Sequence, residues 1–160
     1  MDDPYETDIL TWSDHQATLL RRVANGERVN GVDWPRVIAE IADVGISERN
    51  AMRGLLGQAM IHLLKIHLSP EDQARPHWHI ELDAFLAGAA DRYARSMRQR
   101  IDVGAIWSRA RATTARYLAR DPRIAALPLE CPWTLEALLA NDHEALLATL
   151  PHWSSPPDRA

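Results

Sequence analysis

The chain is short of the residues that build staples, sheets and phosphate loops. It has one cysteine, Cys131, so no disulfide can close within it and nothing else points to an oxidising compartment. Cys131 precedes Pro132 and has no histidine or cysteine neighbour, which reads as a structural thiol. Glycine is sparse, at seven residues, and no glycine-rich phosphate loop appears. β-Branched residues are few and no segment alternates apolar with polar, so strands are not expected. No apolar run approaches the roughly 20 residues needed to span a bilayer. The acidic start, Met1-Asp2-Asp3-Pro4, lacks the apolar region of a signal peptide. A soluble cytoplasmic protein with no membrane association is the expectation. No serine or cysteine sits in a nucleophile motif.

What remains is helical. Apolar residues make up 46% and charged residues 25% of 160 residues, an ordinary globular balance, and Ala, Leu and Arg dominate, all good helix formers. The spacing predicts an all-α, single-domain bundle of five main helices over residues 5–140. A C-terminal extension follows over 141–160, with its last ten residues disordered.

The first helix is expected over 7–24, with Ile9, Trp12, Gln16, Leu19, Leu20 and Val23 on one face and Asn25-Gly26 as a left-handed cap. Asp33 then caps a second helix, with Pro35 in its first turn and Trp34, Val37, Ile38 and Ile41 as its buried stripe. Gly45 is expected to stop that helix, and Ser47 to cap a third over 48–68. Met52, Leu55, Leu56, Ala59, Met60, Leu63, Leu64 and His67 draw the cleanest apolar stripe of the chain there. A fourth helix is expected from Pro76 to Arg100, burying Trp78, Leu82, Phe85 and Leu86. A fifth runs over 103–120, burying Ile106, Trp107, Ala110, Thr114 and Tyr117. Two short helices are expected after Thr134 and over 144–150.

The bend at Gly45–Ser47 would fold the second and third helices together and gather Glu40, Asp43, Glu48, His62 and the single lysine, Lys65, at one corner. Asp43 is the oddity: an acid in the last turn of a helix meets the negative end of the dipole, at about 0.3–1 kcal/mol, and a local rule broken without visible gain marks a candidate site. Its structural counterpart is the nearby N-terminus of the third helix together with Arg49. Carboxylates with one imidazole suit a hard or borderline divalent ion, making Glu40, Asp43 and His62 the candidate metal ligands. No Glu-x-x-His pair is present, however, and His77 with His79 are two residues apart and face different ways. No cofactor is expected.

Charge is uneven. The first 50 residues hold ten acids against five arginines, whereas residues 92–123 hold nine arginines against Asp102 and Asp121. The basic stretch either complements the acidic one within the fold or offers a nucleic-acid surface.

Several segments together resemble a known family. They are Tyr5-Glu6-Thr7-Asp8 with Trp12 and Gln16-Ala17, Asp33-Trp34, Glu40-Ile41-Ala42-Asp43-Val44-Gly45, Ser47-Glu48-Arg49, His62-Leu63-Leu64-Lys65, Trp78, and the closing Glu130-Cys131-Pro132-Trp133-Thr134-Leu135. In this order they resemble the bacterial domain of unknown function 29 family, abundant in cyanobacteria, over about residues 5–140. The resemblance implies a small helical domain and carries no established activity. The family's Glu-Glu-Ile-Glu pattern is thinned here to Ala39-Glu40-Ile41-Ala42-Asp43, and the aromatic residue after the lysine is Ile66.

Three functions are consistent with these readings. The first is a non-catalytic module binding a protein partner or a second copy, with Glu40, Asp43, Glu48 and Trp78 as binding residues. The second is a metal-assisted nucleic-acid phosphodiesterase with His62 as acid–base and Lys65 stabilising phosphate charge. The third is nucleic-acid binding through the 92–123 arginines.

Overall fold

The structure, a computed structural model, describes residues 3–69, 72–118 and 121–151. Among them every regular element is helical: α1 Pro4–Thr7, α2 Ile9–Ala24, α3 Trp34–Leu68, α4 Arg75–Arg92, α5 Val103–Tyr117, α6 Leu135–Leu139 and α7 His143–Ala148, with 3₁₀ turns at Arg95–Met97 and Pro122–Ala126. The chain is all-α. It divides into two compact units, Met1–Ser47 and Glu48–Ala160. The expected disordered tail, residues 151–160, lies outside the described residues except for Pro151.

Three of the caps anticipated from sequence are present, at Asn25-Gly26, Asp33 and Thr134. Gly26 takes a φ of +82°, its amide donates to the Val23 carbonyl at 2.9 Å and the Glu27 amide to Arg22 at 3.1 Å, the paired bonds of a Schellman close. Asp33 accepts from the Arg36 amide at 3.3 Å, and the Thr134 hydroxyl accepts from the Ala137 amide at 3.1 Å. Asp8, read as helical, instead breaks the first helix: it closes α1 and caps α2 by accepting from the Thr11 amide at 3.0 Å. The fourth helix stops at Arg92, earlier than the expected Arg100, because Tyr93 turns extended at φ −66°, ψ 124°.

The largest departure is at Gly45. α3 runs without interruption from Trp34 to Leu68, so the bend and the Ser47 cap are absent. Gly45 is not among the positive-φ glycines. A glycine inside a helix costs about 1 kcal/mol relative to alanine. No proline follows to force termination, so helix on both sides carries the chain through.

In the first unit, Trp12, Gln16, Leu19 and Val37 are buried. The Tyr5 ring meets Trp12 edge-on at 4.9 Å. The Gln16 side-chain carbonyl accepts from the Asp33 amide at 2.9 Å, which ties the entry of α3 to α2. The stripe expected to be buried here is not: Ile38 is 62% and Ile41 68% exposed, and Trp34, Val44 and Ile46 are also exposed.

The second unit holds the larger core. Met52, Leu56, Met60, Leu63, Leu64, Leu82, Leu86, Trp107 and Leu138 are fully buried. Trp107 and Trp133 meet edge-to-face at 5.2 Å. Each indole N–H is satisfied, Trp107 by the Pro128 carbonyl at 3.0 Å and Trp133 by the Thr149 hydroxyl at 2.8 Å, as buried indoles require. Tyr117, expected in the core, is 72% exposed.

Candidate functional site

The residues of the expected corner are divided between the two units: Glu40 and Asp43 belong to the first, and Glu48, His62 and Lys65 to the second.

In the first unit Glu40 accepts a hydrogen bond from the Tyr5 hydroxyl at 2.6 Å. That bond to a carboxylate pushes the Tyr5 phenol up, since ionising the phenol would place two anions together. Arg36 stacks over the same ring at 4.5 Å and pairs with Asp3 and with Asp33, the latter at 3.3 Å. The Arg36 guanidinium holds the Asp3 carboxyl below the usual carboxylate range. Asp43 is exposed and makes no hydrogen bond or ion pair among the described residues.

In the second unit His62 is 5% exposed. Its Nδ1 donates to the Gln58 carbonyl one turn back at 2.8 Å, and its Nε2 lies 2.9 Å from Glu81 Oε2. The ring also packs on Phe85 at 5.2 Å. The acid beside His62 is therefore Glu81 of α4. Sequence reasoning missed it, though the His77–Glu81 spacing of four was a signal: His77 Nε2 stands 3.4 Å from Glu81 Oε1. Lys65 lies between two aromatic faces, its ammonium 5.7 Å from the Trp78 ring centre and 5.5 Å from Tyr117. Each such contact contributes about 0.5–1 kcal/mol at an exposed site. Glu48 pairs with Arg92 at 2.9 Å, both half exposed, a contact contributing at most about 1 kcal/mol.

Among the described residues no three His, Cys, Asp or Glu side chains gather as a metal site would require. His79 tilts against His143 at 6.2 Å, and burial, with the Arg75 charge, pushes its imidazole down. Of the 92–123 arginines, Arg92 pairs with Glu48, Arg98 with Glu136 and Arg123 with Asp121, while Arg111 reaches the Leu127 carbonyl. Burial pushes the Cys131 thiol up. No helix among the described residues is long and apolar enough to cross a membrane.

The profile of a known domain matches residues 4–144. The chain belongs to the DUF29 family, a domain of unknown function. Among solved structures, this DUF29 protein is similar to an alpha-helical protein of unknown function from Rhodospirillum rubrum. The two share 26% identity and a TM-score of 0.66 over 92% of this chain and 98% of that one. No curated protein matches the chain.

Proposed function

We propose that this DUF29 chain is a non-catalytic interaction module that docks another protein on the first unit. The observation that carries this reading is the exposed row Trp34, Ile38, Ile41 and Val44, spaced by three or four residues along one face of α3. Keeping several large apolar side chains in water is unfavourable at about 25 cal/mol per Å², and contiguous patches of this kind mark protein contacts. An amphipathic helical face is a common docking element, read through anchors at such spacing.

Charge narrows the partner. Residues 1–47 carry nine acids against four arginines, so the matching surface is an apolar groove or helix with a basic rim. The test places a photoreactive side chain at position 41 of the full chain in its native host. The expected result is a discrete adduct with a second polypeptide, lost when Ile38→Asp is added and absent when the probe is moved to position 43. No adduct, or an adduct only within the same chain, overturns the proposal.

A further inference from the structure

A cleft of about 500 Å³ opens in the second unit between the 50–61 stretch of α3 and the 105–113 stretch of α5. Two arginines line it, Arg53 from α3 and Arg109 from α5, and no carboxylate does. Both are exposed, and neither makes a hydrogen bond or ion pair among the described residues. Arg92, Arg98 and Arg123 each have an acid partner; Arg95, Arg100 and Arg116 are also exposed and unpaired among the described residues but do not line the cleft. Asn50 and Thr113 add neutral polar groups to the walls, and Ile106 adds apolar surface.

The glycines of this stretch are the second observation. Gly54 and Gly57 both line the cleft and both sit inside α3, where glycine is a poor helix former. Packing does not demand either of them. A Cβ at position 54 would meet nothing within 4 Å, and one at 57 would meet only the Ile106 side chain at an ordinary 3.8 Å. Backbone conformation does not demand them either, since neither has a positive φ. What their missing side chains do is leave the space between the two helices open.

We propose that this cleft binds a small organic phosphate: a compact, partly apolar body carrying one phosphate group held between Arg53 and Arg109. The volume lies in the range of small-molecule sites. Two guanidinium forks supplied by two different helices suit an anion with several oxygens, each fork taking a different pair. The apolar floor supplies contact that a bare ion does not use.

The experiment titrates the full chain with phenyl phosphate and with inorganic phosphate, by calorimetry at low and at moderate salt, alongside melting curves. Saturable binding of phenyl phosphate is expected, tighter than inorganic phosphate and weakened by salt. Arg53→Gln and Arg109→Gln should each weaken it by about tenfold or more with an unchanged melting temperature, because both side chains are exposed and unpaired. Gly54→Leu keeps both arginines and improves helix propensity, so it should melt no lower than the parent while losing the ligand. Absence of saturable binding overturns the proposal. Binding that survives Gly54→Leu also overturns it, since the attraction would then be to surface arginines and not to the cleft.

Discussion

His62 of α3 and Glu81 of α4 stand 2.9 Å apart across the second unit, with the His62 side chain 7% exposed and the Glu81 side chain 37% exposed. The asymmetry assigns different weights to the two partners. Truncating His62 leaves a cavity beside Phe85 and empties a buried polar position, whereas truncating Glu81 lets water reach the Nε2 edge. His62→Ala should therefore destabilise by about 2–3 kcal/mol, and Glu81→Ala by less than about 1 kcal/mol. Urea unfolding at neutral pH measures both. Equal losses would mean that the His62–Glu81 contact, and not burial of the ring, dominates.

Gly45 offers a direct test of helix continuity. Its φ is not positive and a Cβ there meets nothing within 4 Å. Gly45→Ala should raise stability by about 0.5–1 kcal/mol. Had the chain turned here in a left-handed conformation, alanine would lower it instead, so the sign of the change in a denaturation midpoint decides.

Thr114 is fully buried and its hydroxyl has no hydrogen-bond partner among the described residues. An unsatisfied buried hydroxyl costs about 1–3 kcal/mol. Thr114→Val keeps the branched shape and removes the hydroxyl, and thermal unfolding should show a gain of about 1 kcal/mol. A loss of stability would mean that the hydroxyl is satisfied after all.

Asp121 is gripped by Arg123, whose Nη2 lies 2.6 Å from Oδ2. That hydrogen bond holds the Asp121 carboxyl below its usual range, with burial opposing it. A depressed folded value means the pair stabilises the protein above the unfolded carboxylate value of about 3.9, and that this contribution disappears as pH falls through the folded value. The stability difference between the parent and Asp121→Asn should be largest near neutrality and shrink below about pH 4. A difference that grows on acidification contradicts the assignment. The Arg123 side chain also donates to the Leu68 carbonyl at 2.5 Å, so Arg123→Ala should cost more than Asp121→Asn at the same pH.

Much of the local structure was legible because it depends on neighbours in the chain. Asn25-Gly26, Asp33 and Thr134 act through bonds to amides or carbonyls within a few residues. The stripe from Met52 to Leu64 was likewise visible as spacing alone. Gly45 was not, because glycine disfavours helix by only about 1 kcal/mol relative to alanine, too little for local signals to decide. Spacing also placed Ile38 and Ile41 on one face correctly but said nothing of what covers that face. The partners of His62 and Lys65 were hidden for a third reason: Glu81 is 19 residues from His62, and only packing of separate helices brings them together.

By itself the sequence determined the helical class, most of the caps and which residues share a face, because these follow from backbone hydrogen bonding and the helical repeat within a few residues. Only the tertiary structure decided that Glu81 meets His62, that Trp78 and Tyr117 flank Lys65, and that two unpaired arginines line one open cleft. Those outcomes depend on contacts between residues far apart in the chain, whose energies no local pattern encodes.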